Sequence, residues 1–135
     1  MEALIQQMEN YLECWKQFNN FVNVARAKKF SPEDEAQFLE IKSVLIQELE
    51  LLLAAIEPTS PTRDEIHGLV GNAPSLRFLS EMNDGAQRNL ENQWHKIYIG
   101  WHAILGQLKV KQQAEEDKSA FAGLFGSSSK KDKPK

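Results

Sequence analysis

The sequence is poor in the residues that mark disulfide-rich, collagen-like or disordered proteins. A single cysteine, Cys14, cannot form an internal disulfide, and there are only seven glycines and five prolines among 135 residues. Hydrophobic residues make up 41% of the chain, which is enough for one packed domain of this length. These properties exclude a disulfide-stabilised scaffold, a collagen-like chain and a wholly disordered chain.

The sequence also lacks a large charge excess and a long hydrophobic run. The formal net charge is −3, so no overall field attracts nucleic acid. The longest apolar run, residues 51–56, is far shorter than the roughly 18–20 residues that span a bilayer. We therefore expect no nucleic-acid partner and no stable membrane insertion. The N-terminus lacks the basic segment of a secretory signal, and a lone thiol suits a reducing compartment, so the sequence favours a cytoplasmic protein.

Two long segments carry apolar residues at alternating intervals of four and three. This spacing places each set on one face of a helix and predicts long helices over residues 2–29 and 85–117. The first set is Leu4, Met8, Tyr11, Trp15, Phe18, Val22 and Ala25. The second set is Leu90, Trp94, Ile97, Trp101, Ile104 and Leu108.

A third long helix is predicted over residues 32–57. Ser31 and Pro32 form a typical helix start, and three acidic residues follow in the first turn. The short connection to the preceding helix requires the two to run antiparallel. The inward-facing residues are expected to be Phe38, Ile41, Leu45, Leu49, Leu52 and Ile56.

The segment 63–83 predicts one or two short helices between the second and third long ones. Thr62 and Glu65 fit a capping box, and Gly71 occupies the position of a C-cap glycine. The expected fold is all-α: an antiparallel bundle of three long helices over residues 1–118. Residues 119–135 are expected to form a flexible tail, disordered from about Gly126, with an apolar segment and a basic end.

No pattern in the chain predicts catalysis or a cofactor. Glycine-rich phosphate loops and nucleophile-elbow motifs are absent, and Cys14 lies beside core aromatic residues without a neighbouring histidine. His95 and His102 are seven residues apart, about 10.5 Å along a helix, whereas metal ligands on one helix need a spacing of three or four. Glu91 precedes His95 by four residues, a spacing that favours a pair between them. An alternative stays open: a ligand- or metal-binding bundle that uses the aromatic core or the face of Glu91, His95 and His102.

Two apolar segments favour a non-enzymatic interaction module, which binds a protein partner or itself. The end of the second helix is apolar nearly all round. In the tail, offsets of three and four place three side chains on one side of a helical turn. The candidate partner-binding residues are Leu49, Leu53, Ile56, Phe121, Leu124 and Phe125.

Overall fold

The computed structural model describes residues 2–57 and 61–132, with side chains as far as residue 124. This part of the chain contains five α-helices and no strand, which confirms the all-α class and the short helices between the second and third long ones. The helices are α1 (Glu2–Arg26), α2 (Pro32–Ala55), α3 (Arg63–Gly71), α4 (Leu76–Ser80) and α5 (Asp84–Asp132).

Helix α1 is the central element of the bundle and contacts α2, α4 and α5. Its predicted seam is buried from Met8 to Ala25, while Leu4 at the N-terminal end is half-buried. Ile5 and Leu12, on one flank of the seam, are also buried. The buried stripe is therefore broad, as a helix with neighbours on several sides requires.

Contacts along α1 establish the directions of the long helices. The rings of Phe18 and Phe38 lie 5.3 Å apart near the α1–α2 turn, and the Tyr11 hydroxyl donates to the Leu45 carbonyl further along. Helix α5 also runs antiparallel to α1, because the Trp94 indole N–H donates to the carbonyl of Trp15 at 2.9 Å and later residues of α5 reach the N-terminal part of α1. Helices α2 and α5 consequently run in the same direction.

The two short helices together occupy the fourth position of the bundle. At one end, the Arg63 guanidinium makes two hydrogen bonds to the Glu50 carboxylate, at 2.8 and 2.9 Å. At the other end, the Leu76 N–H donates to Glu35 Oε1 at 2.6 Å. Helices α3 and α4 therefore run back along α2 and cover its apolar side. They also bury five side chains in the core: Ile66, Leu69, Val70, Leu76 and Leu79.

Helix boundaries follow local chemistry, with one exception. Ser31 and Thr62 both cap helices in reciprocal capping boxes, with Asp34 and Glu65 respectively. Both caps and the Thr62 box were predicted, whereas the reciprocal bond at Ser31 was not. Gly71 is not a C-cap, however. Helix α3 ends through Asn72, whose backbone stays in the right-handed region at φ −76°. No left-handed residue is needed there, so the conformational freedom of glycine is not used.

Helix α5 is longer than the sequence predicts, since it continues to Asp132 instead of ending near residue 117. No proline interrupts this segment, and each interior glycine costs only about 1 kcal/mol relative to alanine. The core residues all lie between Ile5 and Leu108. The predicted disorder from about Gly126 falls outside the residues whose side chains are described. Within the described ranges, no helix is both long enough and apolar enough to cross a membrane.

Candidate functional site

The face formed by Glu91, His95 and His102 does not assemble a metal centre. Glu91 forms an ion pair with Arg26 of α1. His95 and His102 are both exposed, and the rings of His102 and Tyr98 pack in a T-shaped arrangement with centroids 4.6 Å apart. Among the described side chains, residues 2–57 and 61–124, no three histidine, cysteine or acidic groups lie close enough together to hold a metal ion. The predicted pairing of Glu91 with His95 is replaced by a salt bridge between helices.

The aromatic core is filled by its own rings. Trp15 and Trp101 are both fully buried, as the seam spacing predicts. Tyr11 lies between them and contacts both edge-on, with ring centroids 6.1 Å from Trp15 and 5.4 Å from Trp101. Edge-to-face packing of this kind stabilises a core beyond the area it buries. The rings therefore occupy the space in which the alternative hypothesis places a flat ligand.

Cys14 lines a shallow groove between α1 and α2, of about 520 Å³. The floor of the groove is apolar and includes Phe21, Ile41 and Val44. Burial raises the pKa of the Cys14 thiol, and the carboxylates of nearby glutamates add to this effect. A raised pKa keeps the sulfur protonated at neutral pH, which makes it a poor nucleophile.

The structure divides the candidate residues of α2 between the core and the surface. Leu49 is fully buried and offers no surface to a partner, which removes it from the predicted set. Leu53 and Ile56 are half-buried against the core. Leu51, which the sequence analysis did not select, is 53% exposed. The apolar end of α2 is therefore only partly covered by the rest of the bundle, since Leu51 and Ala54 stay exposed.

Helix α5 carries a second apolar stripe on the side opposite its core-facing seam. Its first four positions follow the seam residues by two, which corresponds to about 200° around the helix, and the stripe then continues at intervals of three and four. We call this set the outer stripe: Ile99, Ala103, Gly106, Val110, Ala114, Asp117, Phe121 and Leu124. Its large apolar side chains are exposed: 53% for Ile99, 71% for Val110, 62% for Phe121 and 67% for Leu124. Phe125 lies outside the residues with described side chains.

Ile99 and Val110 do not belong to the core-facing seam, so the seam spacing did not predict them as candidate residues. A signal was present, since residues from Ile99 to Leu124 recur on one helical face at intervals of three and four, interrupted by Gly106 and Asp117. Exposure is what distinguishes the two stripes, and exposure depends on the neighbouring helices.

Beyond Leu108, the last core residue among the described side chains, α5 extends past the core of the bundle. We call residues 109–132 the α5 extension. They span about 36 Å at the usual helical rise. From residue 109 to 124, every residue is exposed except Gln112, which is half-buried. At the base of the extension lies a groove of about 720 Å³ between the end of α2 and α5, lined by Ile56, Ile104 and Leu108 among others.

No family model matches the chain, and the comparisons with curated proteins and with solved structures give no match.

Proposed function

We propose that this protein is a non-enzymatic helical interaction module, which binds a protein partner or a second copy of itself through the α5 extension. The observation that carries the proposal is the exposure of Val110, Phe121 and Leu124 on one side of a helix that has left the bundle. The proposal includes a cytoplasmic location, which the lone thiol of Cys14 supports.

Physical chemistry favours a binding role for such a segment. A single helix in water gains little stability from its own hydrogen bonds and depends on burial of an apolar face. Burying a side chain such as Val110 or Leu124 contributes about 1.5–3 kcal/mol before ordering costs are subtracted. The extension therefore gains stability when another helix or groove covers the outer stripe.

The surroundings of the extension support a protein as the bound molecule. The outer stripe is narrow and includes the charged residue Asp117, which favours a protein groove over a membrane surface as the bound partner. Helix-in-groove recognition uses apolar anchors at intervals of three and four residues, as Phe121 and Leu124 provide. The groove at the base of the extension, next to Ile56 and Ile104, offers adjoining apolar surface.

Site-specific crosslinking tests the proposal. A photo-crosslinking residue at Leu124 is compared with one at Leu39, which is 49% exposed on α2, well away from the extension. We expect a covalent adduct with a polypeptide from position 124 and none from position 39. Absence of an adduct from position 124, with a folded chain, would overturn the proposed function.

A further inference from the structure

We propose that the groove that Cys14 lines between α1 and α2, here called the Cys14 groove, binds a basic amphipathic helix of another protein. This surface is separate from the α5 extension, so the inference goes beyond the proposed function and its test does not depend on it. The partner helix lies along both α1 and α2, with its apolar residues on the floor of the groove and its lysines or arginines at the rim. Helix-in-groove recognition uses apolar anchors at intervals of three and four residues.

The floor of the Cys14 groove is an apolar surface that the bundle leaves partly open. Its half-buried apolar side chains come from both helices: Phe21, Val24, Ile41 and Val44. Leu51 follows Val44 by seven residues, so it lies on the same side of α2, and it is 53% exposed. Ile41 and Leu51 are about 15 Å apart along α2, which is nearly three helical turns. This elongated shape favours a helix as the bound partner, because a helix lies along the whole floor.

The rim of the Cys14 groove is acidic, and this determines the charge of the partner. Glu40 lines the groove directly. Burial raises the pKa of the Cys14 thiol, and the carboxylates of Glu48 and Glu13 raise it further, which places both close to the groove. Among the described side chains that line the groove, none is a lysine or an arginine. A helix with basic flanks therefore meets opposite charge along the groove, whereas a helix with acidic flanks is repelled.

Glu40 is the acidic residue to test, because the other two have partners within the chain. Glu13 lies 3.4 Å from the ammonium group of Lys16, in an exposed pair of the kind that contributes little to stability. Glu48 accepts a hydrogen bond of 3.3 Å from the Gln7 amide, which is uncharged and leaves the negative charge of Glu48 in place. Glu40 is exposed and has no ion-pair partner among the described side chains. A substitution there leaves the core of the bundle unchanged.

Cys14 provides the measurement, because it is the only cysteine of the chain and it lines the groove. Mass spectrometry follows the alkylation of Cys14 by iodoacetamide in the full chain at about pH 8.5, where enough thiolate forms for the reaction. The probe is a synthetic helical peptide of about 18 residues, with leucines at intervals of three and four and lysines on both flanks. We expect this peptide to slow the alkylation. A matched peptide with glutamate in place of lysine should leave the rate unchanged.

Two pairs of variants test the rim and the floor separately. Glu40→Lys should weaken protection by the lysine peptide about fivefold and gain protection from the glutamate peptide, whereas Glu116→Lys, the same change on the α5 extension, should do neither. Leu51→Asn should also weaken protection by the lysine peptide about fivefold. Its control is Leu39→Asn, because Leu39 is 49% exposed but lies about 140° from Val44 around α2. Circular dichroism verifies that every variant is folded.

Protection of Cys14 that Glu40→Lys and Leu51→Asn weaken, and that their controls do not, supports the inference. An alkylation rate that the lysine peptide leaves unchanged up to about 1 mM would overturn it. Equal protection by the lysine and glutamate peptides would also overturn it, because the acidic rim would then select nothing. Without peptide, a rate that falls as the protein concentration rises would show that a second copy covers the groove, which contradicts the inference. Crosslinking from position 124 tests the α5 extension independently of all these results.

Discussion

The hydroxyl of Tyr11 donates a hydrogen bond of 2.9 Å to the backbone carbonyl oxygen of Leu45, and this bond joins the middle of α1 to α2. Both residues are buried in the core. Burial raises the pKa of Tyr11 well above its ordinary value, and the nearby carboxylate of Glu48 adds to the shift. The folded state therefore holds Tyr11 in its neutral form.

Tyr11→Phe should lower the free energy of unfolding by about 1 kcal/mol at neutral pH, because one buried hydrogen bond is lost. It should also reduce the loss of stability that the protein shows at alkaline pH. The unfolded chain releases the tyrosine proton near the ordinary pKa of about 10, whereas the folded chain retains it, so stability falls as pH rises through this range. Urea unfolding of the original chain and the variant from neutral pH to pH 11 measures the difference.

Tyr98→Phe is the control for this alkaline effect, because Tyr98 is only half-buried at the surface of α5. It should show the same alkaline loss of stability as the original chain. If the Tyr11 variant lost stability with the same slope above pH 10, burial of the Tyr11 hydroxyl would not be the cause.

Lys28→Gly should stabilise the protein by about 0.5–1 kcal/mol. Lys28 adopts φ 58°, in the left-handed region, just after α1. Its N–H donates to the Ala25 carbonyl, and the next N–H, from Lys29, reaches Val24, which together form a Schellman-type helix end. Glycine has no Cβ and adopts this conformation without steric cost. Denaturant unfolding measures the gain. Lys28→Ala removes the same charge but keeps a Cβ, so an equal gain in both variants would contradict this explanation.

Gly106→Ala should stabilise the monomer by about 1 kcal/mol, whereas Gly100→Ala should not. Both glycines lie inside α5, where alanine is the better helix former. A Cβ at position 106 meets open space, but one at position 100 would lie 3.0 Å from Cδ of Pro61. Urea unfolding of both variants at low protein concentration compares the two sites. Equal stabilisation would mean that Pro61 moves away at no cost.

Trp101→Ala should lower the free energy of unfolding by about 3–5 kcal/mol, since a fully buried indole leaves a large cavity. This loss approaches the whole stability of a small domain. His102→Ala is the adjacent control, because His102 is exposed, and it should change stability by less than about 0.5 kcal/mol. Guanidinium unfolding followed by circular dichroism tests both variants. An unchanged midpoint for Trp101→Ala would contradict its place in the core.

Removal of residues 119–135 should leave the Tm of the dilute monomer within about 2 °C of the original, because the core ends at Leu108 and residues 119–124 are exposed. A chain that ends after residue 103 also loses the core residues Leu105 and Leu108, and it should unfold at a clearly lower temperature. Thermal unfolding measures both chains. A lower Tm for the first truncation would show that Phe121 and its neighbours stabilise the bundle.

The sequence by itself determined the helices and most of their inward faces. Local rules are sufficient for this, because the four-three spacing from Met8 to Ala25 and the caps at Ser31 and Thr62 each depend on a few neighbouring residues. Burial of Trp15 and Trp101 also followed from spacing, since a seam with so many large apolar residues must face the interior. The all-α bundle was predictable for the same reason.

Only the tertiary structure decided which residues from distant parts of the chain meet. Spacing placed Leu49 both on the inward face of α2 and in its apolar end, and only the packing of the other helices removed it from the partner-binding set. The proximity of Gly100 to Pro61 and the pairing of Glu91 with Arg26 likewise join segments far apart in sequence. Helical periodicity specifies directions around one axis, whereas these contacts depend on how several axes are placed together. The exposure of the outer stripe follows from that placement and not from its pattern alone.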